Sequence, residues 1–96
     1  MRNVNREDIE ALYGAVLTLR TGEEARKFFR DLLTETEIKE FAERWKAARM
    51  LAGGVPYTHI IEKTGLSSTT VARVARWMKK GTGGYRLALK RTGNLP

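Results

Sequence analysis

The chain has 96 residues, a length that predicts one domain over residues 1–96. It has no cysteine, which excludes disulfides and thiolate metal sites. His59 is the only histidine, and Asp8 and Asp31 are the only aspartates, so the usual catalytic and metal-binding constellations are hard to assemble and an enzyme is not expected. Every apolar run is broken by charge, so we expect a cytoplasmic protein with no membrane span. We also expect no cofactor.

The net charge of +7 is concentrated in one half of the chain. Residues 1–48 contain nine Lys or Arg and ten Asp or Glu, a net charge of −1. Residues 49–96 contain nine Lys or Arg and a single acid, Glu62, a net charge of +8. Such one-sided basicity favours a polyanionic partner, either nucleic acid or an anionic membrane surface.

The first half of the chain has the pattern of three amphipathic helices. Asn5 can cap the first helix, while Thr21 and Thr34 each begin a capping box in which a Glu three residues later reaches back to the Thr backbone. Gly53 and Gly54 stop the third helix. The predicted buried positions of the three helices are Ile9, Leu12, Val16, Leu19, Ala25, Phe28, Phe29, Leu32, Ile38, Phe41, Trp45, Ala48 and Ala52. A chain this short buries little surface alone, so we expect a second copy to share its core.

The second half has the pattern of a helix-turn-helix over about residues 57–80. Pro56 opens a short helix over 57–63, which Thr64 and Gly65 end, and Ser67 or Ser68 caps the next helix, which runs to Gly81. A Gly-rich break over 81–84 precedes a last short helix over 85–91, and residues 92–96 are predicted to be a frayed tail. The expected fold is therefore all-α, with about six short helices.

Two opposite faces are predicted for the second helix of this motif. Val71, Val74, Ala75 and Met78 fall within an arc of roughly 100°, and Ile60 and Leu66 can complete a small core against them. Thr69, Arg73, Arg76 and Lys80 fall within an opposite arc of roughly 60°. Short side chains at the start of the helix and arginines further along suit insertion into the DNA major groove.

The sequence thus predicts a protein that binds double-stranded DNA. The candidate DNA contacts are Tyr57, Thr58, Ser67, Ser68, Thr69, Thr70, Arg73, Arg76, Lys79 and Lys80. The simplest competing interpretation is a solvated amphipathic helix. The basic half is also compatible with a nucleic-acid-associated or adaptor protein without operator recognition, with an RNA-binding protein, and with a membrane-surface protein. The last two fit less well, because the basic helix lacks interleaved aromatics apart from Trp77 and lacks bulky apolar residues beyond its own core.

The segments LLTETEIKEFAERWKAARMLAGG and YTHIIEKTGLSSTTVARV resemble the Trp repressor superfamily, and are most similar to its YerC/YecD-like branch. The resemblance covers about residues 5–91. It implies an intertwined all-helical homodimer that binds a palindromic operator as a transcriptional regulator, expected to be a bacterial repressor. It also implies that 57–63 and 67–80 are the two helices of the DNA-binding motif.

The resemblance also implies positions for a tryptophan co-repressor. Thr34, Arg44 and Arg73 match the Thr and the two arginines that surround the ligand in tryptophan-binding members. Val74 and Trp77 instead stand where those members have a Gly and a Ser, so the slot is crowded and Trp77 can occupy part of it. We therefore expect no response to free tryptophan. Phosphate contact, or an ion pair between Arg44 and Glu40, is the alternative role for these arginines.

Overall fold

The computed structural model describes residues 5–96, which form six α-helices and no β-strand. The helices are α1 (Arg6–Val16), α2 (Gly22–Leu32), α3 (Glu35–Ala52), α4 (Tyr57–Thr64), α5 (Ser68–Lys80) and α6 (Gly84–Arg91). The all-α class and the predicted number of helices are confirmed. None of the helices in residues 5–96 is both long and apolar enough to cross a membrane.

Side-chain caps start the first three helices. Asn5 Oδ1 accepts a hydrogen bond of 2.7 Å from Glu7 N. At Thr34 the capping box is complete, because Thr34 Oγ1 accepts from Glu37 N at 3.1 Å and Glu37 Oε1 accepts from Thr34 N at 2.9 Å.

The capping box at Thr21 differs from the prediction in one bond. Thr21 Oγ1 accepts from Glu24 N at 3.1 Å, as predicted. The Glu24 carboxylate, however, accepts from Arg20 N at 2.9 Å and not from the backbone of Thr21. The long Glu side chain therefore satisfies the N–H one residue before the cap.

Helix α3 ends at the predicted glycines in a Schellman motif. Gly54 has φ +79°, the left-handed conformation that glycine adopts without a steric penalty. Its N–H donates to Leu51 O at 3.0 Å, and the next N–H, of Val55, donates to Met50 O at 3.0 Å. These two bonds satisfy carbonyl groups that the end of a helix leaves without partners.

Helix α6 ends in the same motif, in the segment for which the sequence predicts a frayed tail. Gly93 has φ +80°, and its N–H donates to Lys90 O at 3.1 Å. Asn94 N and Leu95 N both donate to Leu89 O, at 2.7 and 3.2 Å. The backbone through Leu95 is therefore tied to the end of α6.

The buried core lies around the helix-turn-helix. Ala47, Ile60 and Val71 are fully buried and form its centre, with Met50, Leu51, Val55, Ile61 and Leu66 packed around them. Helix α4 packs on α5, and α5 packs on α6. The predicted roles of Ile60, Leu66, Val71 and Val74 in a small core are confirmed.

The chain divides into two compact units, with the boundary between Ile38 and Lys39 inside α3. Helices α1 and α2 of the first unit have no buried residue. The prediction that Ile9, Leu12, Leu32 and Phe41 are buried is wrong for the single chain, where they are 36%, 38%, 48% and 50% exposed. The single domain over 1–96 stays a prediction.

Candidate nucleic-acid interface

Helix α4 begins at Tyr57 and ends in a left-handed glycine. Pro56 occupies the N-cap position with extended backbone (φ −62°, ψ 149°), and the helix starts at the next residue, as predicted. At the other end Gly65 has φ +74°, and its N–H donates to Ile61 O at 3.0 Å. This backbone reversal turns the chain toward α5.

Thr64 and a lysine of α3 hold the turn in place. The buried Thr64 hydroxyl donates to Ile60 O at 2.7 Å and accepts from Leu66 N at 3.2 Å. From α3, Lys46 Nζ donates to Lys63 O at 3.2 Å, where the carbonyl end of α4 favours a cation. The angle between α4 and α5 is thus held by hydrogen bonds as well as by the apolar core.

Ser67, rather than Ser68, caps α5. Its Oγ accepts from Thr70 N at 3.1 Å and its hydroxyl lies 3.0 Å from Thr70 Oγ1. Ser68 and Thr69 follow in the first turn and are exposed. The first turn of α5 therefore presents short hydroxyl side chains to the outside.

The predicted faces of α5 are confirmed. Val71, Val74 and Ala75 are buried, and the hydroxyl-and-base side chains opposite them are exposed. The exposed face forms a groove of about 530 Å³, the α5 groove, lined by Thr69, Ala72, Arg73, Arg76, Trp77 and Lys80. Four of the predicted DNA contacts therefore share one surface.

Two other predicted contacts, Tyr57 and Lys79, line a different cavity. That cavity lies among α3, α4, α5 and α6 and shares no lining residue with the α5 groove. Thr58, beside Tyr57, is exposed at the start of α4. Lys79 thus projects from a side of α5 that differs from that of Arg76 and Lys80.

The cations of the α5 groove have no carboxylate partner within the described part of the chain. The ion pairs of residues 5–96 are Lys27–Glu23 at 3.3 Å and Arg30–Glu35 at 2.6 Å, and His59 Nδ1 lies 3.8 Å from Glu62 Oε2. None of them involves α5. Arg73, Arg76 and Lys80 are therefore available to an external anion, and nearby internal acids do not neutralise them.

Arg44 and Arg73, the two arginines predicted for an effector, line one small cavity, the Arg44–Arg73 slot. Its volume is about 130 Å³, and its lining residues are Arg44, Thr70, Arg73, Val74, Trp77 and Tyr85. No ion pair joins Arg44 to Glu40 in residues 5–96; the Arg44 guanidinium carbon instead lies 5.9 Å from the ring centroid of Phe41. Sequence reasoning missed Tyr85, the second residue of α6, as a lining residue of this slot.

Trp77 and Val74 both line this slot. Trp77 is 54% exposed and lines the α5 groove as well. Gly81 packs against Trp77. A Cβ at position 81 would clash with the Trp77 carbonyl oxygen and lie 3.0 Å from Trp77 Cε3, so a larger residue would not fit there without a shift of the backbone. Thr34, the remaining predicted effector residue, caps α3 through the reciprocal bonds with Glu37.

An all-α chain whose helix-turn-helix is held by hydrogen bonds, and whose second helix carries cations that pair with no carboxylate of residues 5–96, has the features of a DNA-binding regulator. The family model of the Trp repressor protein matches residues 7–93, and the chain belongs to the Trp repressor family. Members of this family are regulators rather than enzymes.

Three relatives agree with this assignment. The uncharacterized protein YerC of Bacillus subtilis (strain 168) is 39% identical over 85 residues, which cover 88% of this chain and 82% of YerC. A TrpR-like protein from Eubacterium eligens has a crystal structure that superposes with a TM-score of 0.88 at 37% identity, covering 96% of this chain and 95% of that one. A putative Trp repressor from Staphylococcus aureus gives a TM-score of 0.86 at 34% identity, covering 93% and 89%.

Proposed function

We propose that this protein is a homodimeric repressor that binds a palindromic operator through α4 and α5 of each copy. The observation that carries the proposal is the α5 groove, in which a hydroxyl side chain shares one exposed face with three cations that have no carboxylate partner in residues 5–96. The braced turn supports it, because a helix that reads base edges must be held at a fixed angle.

Specificity and affinity come from different parts of α5 in this proposal. Ser68, Thr69 and Thr70 at the start of the helix approach base edges, and Arg73 reads a base. Arg76 and Lys80, further along the helix, contact DNA phosphates and hold α5 in the major groove of the DNA. Ser67 contributes mainly through its cap, and Thr58 contacts phosphate from the start of α4.

The proposed dimer rests on apolar side chains that one chain leaves uncovered. Several large apolar residues outside α4 and α5 are exposed, and Leu17 is the residue that follows α1. They are Ile9, Leu12, Tyr13, Leu17, Leu32, Phe41 and Leu87. Clusters of exposed apolar side chains usually mark interaction surfaces. A second copy that covers them would also supply the second DNA-binding motif that a palindrome requires.

We further propose that DNA binding does not require free tryptophan. The Arg44–Arg73 slot holds about 130 Å³, well below the roughly 300–1,000 Å³ of ordinary ligand pockets. Val74 and Trp77 take up the space that a ligand would need. Isothermal titration of the protein with L-tryptophan should show no saturable heat, and a micromolar affinity would contradict this part of the proposal.

Selection of bound duplexes from a random DNA pool at near-physiological salt tests the main proposal. We expect an enriched palindrome whose half-site centres lie about one helical turn apart. The Arg73→Ala variant should lose much of this enrichment, whereas Arg26→Ala, which removes the same charge from α2, should keep it. Failure to enrich any sequence would instead favour an adaptor or a non-specific nucleic-acid-binding protein.

A further inference from the structure

The cavity that contains Tyr57 and Lys79 is separate from both surfaces assigned so far. It has a volume of about 520 Å³ and lies between the end of α3, the start of α4, the last turns of α5 and the C-terminal segment. Its lining residues are Leu51, Gly54, Val55, Pro56, Tyr57, Ala75, Met78, Lys79, Arg86 and Leu95. None of them lines the α5 groove or the Arg44–Arg73 slot. We call this space the Leu51 cavity.

The lining of the Leu51 cavity is mainly apolar and includes two cations. Leu51, Val55, Met78 and Leu95 are half-buried, and Leu95 N donates to Leu89 O at 3.2 Å. Lys79, Arg86 and Tyr57 also line the cavity, and all three are exposed. The lining thus combines apolar side chains with two cations and one hydroxyl donor.

No carboxylate of residues 5–96 forms an ion pair with Lys79 or Arg86. The lining residues include no acid, and Oε2 of Glu62, the single acid in residues 49–96, lies 3.8 Å from His59 Nδ1. A ligand with one anionic group would therefore find two positive charges and a hydroxyl donor among the lining residues. Its apolar body would displace water from the aliphatic walls.

We propose that the Leu51 cavity binds a small organic anion with an apolar body and one acidic group. Its volume lies within the roughly 300–1,000 Å³ of ordinary ligand pockets, unlike that of the Arg44–Arg73 slot. Apolar walls combined with a few polar groups at one end are the usual composition of such pockets. The proposal stands apart from the DNA-binding function, since it predicts binding in the absence of DNA and does not use the α5 groove.

The test uses 1-anilinonaphthalene-8-sulfonate, an aromatic molecule with one sulfonate, added to the full chain labelled with ¹⁵N. We expect saturable shifts of backbone amides around Val55, Tyr57 and Met78. The Arg86→Ala variant should weaken binding about two- to fivefold, as the loss of one exposed charge contact predicts. Arg91→Ala removes the same charge from α6 outside the cavity and should bind the probe as the unchanged protein does.

Two results would overturn the proposal. Shifts confined to residues 5–38 would mean that the probe binds only the exposed apolar faces of α1 and α2. Equal affinity for N-phenyl-1-naphthylamine, which keeps the aromatic body but lacks the sulfonate, would mean that the cavity does not select an anion. Because Arg86 is exposed, an unchanged amide spectrum of the free variant verifies that it remains folded.

Discussion

Arg73 lies where the α5 groove and the Arg44–Arg73 slot meet, since it lines both. We predict that Arg73→Ala costs about 1–3 kcal/mol in operator binding and relaxes the preference at one base position, because a bidentate contact to a base is lost. Fluorescence anisotropy with a panel of operator variants measures both effects.

Lys79→Ala is the matched control for Arg73→Ala. It removes the same charge from the same helix, but Lys79 lines the Leu51 cavity. We expect a smaller loss of affinity and no change in base preference. Equal losses for the two variants on every operator sequence would show that Arg73 contributes only its charge.

Glu37 is the residue whose ionisation the fold changes most clearly. Hydrogen bonds from the backbone N–H and the hydroxyl of Thr34 lower the pKa of Glu37 below its ordinary value of 4.5. A lowered folded-state pKa means that the cap stabilises the folded state fully above the ordinary value. This contribution is lost as the pH falls through the folded-state pKa.

We therefore predict that Glu37 titrates with a pKa below 4.5 in the folded protein, as followed by the NMR shift of its side-chain carboxyl carbon. Thr34→Ala should raise the pKa of Glu37 part of the way toward the ordinary value, because the hydroxyl bond is lost while the backbone N–H of residue 34 can still donate. It should also lower the free energy of unfolding by about 0.5–2 kcal/mol, since the side-chain cap of α3 is lost. A pKa of Glu37 that does not change in this variant would contradict the role assigned to the capping box.

At the scale of the elements, Gly65 sets the turn of the helix-turn-helix. A Cβ there would lie 3.5 Å from Glu43 Oε2, an ordinary contact, so space is available and the cost arises from the backbone at φ +74°. We predict that Gly65→Ala lowers the free energy of unfolding by about 1–2 kcal/mol. Urea denaturation measures the change.

Gly84→Ala is the matched substitution at the start of α6. Gly84 has no positive φ, and a Cβ there meets nothing within 4 Å. This variant should be neutral or stabilising by about 0.4–1 kcal/mol, because alanine restricts the unfolded chain. If Gly84→Ala lowered the free energy of unfolding as much as Gly65→Ala, the left-handed backbone at Gly65 could not be the cause of the destabilisation.

Most of the helix boundaries could be predicted, because local residues determine them. Asn5, Thr34 and Ser67 cap through their own side chains, and Gly65 ends α4 through its own backbone. Pro56 occupies the N-cap of α4, a position that its fixed φ of −62° suits, and the predicted start at Tyr57 is confirmed.

Two errors of the sequence analysis, the predicted burial of apolar residues that are exposed and the omission of Tyr85 from the slot, arise from packing between elements rather than from local sequence. Periodicity shows that Leu32 and Phe41 belong to apolar faces, but not which surface covers them. Tyr85 reaches the Arg44–Arg73 slot only through the packing of α6 on α5, which no local pattern encodes. Lys79 is grouped with Arg76 and Lys80 for a related reason. The spacing of residues along α5 could not reveal that Lys79 lines the cavity formed with α3 and α6.

At the scale of the whole molecule, the uneven charge predicts strongly salt-dependent DNA binding. The half with a charge of +8 contains both helices of the DNA-binding motif. We predict that log K falls linearly with log [salt], with a slope of about −0.9 for each phosphate neutralised. Arg76→Ala and Lys80→Ala should each make this slope shallower by about 1. Slopes that remain unchanged in both variants would exclude phosphate contacts at these positions.

Dimer formation should affect the thermal stability. A dimer that dissociates as it unfolds has a melting temperature that rises with protein concentration, whereas a monomer's does not. Leu17 provides the sharpest test, because it is 84% exposed in one chain. In a monomer, Leu17→Gln should change the free energy of unfolding by no more than about 0.5 kcal/mol.

If a partner chain covers Leu17, each copy in the dimer should lose about 1.5–3 kcal/mol from Leu17→Gln, because an apolar side chain is no longer buried. We predict this loss, together with a melting temperature that depends on concentration in the unchanged protein. Arg26→Gln, an exposed change on α2, should leave both properties as they were. A melting temperature independent of concentration and a neutral Leu17→Gln would together mean that the chain folds as a monomer, and a palindromic operator would then lose its structural basis.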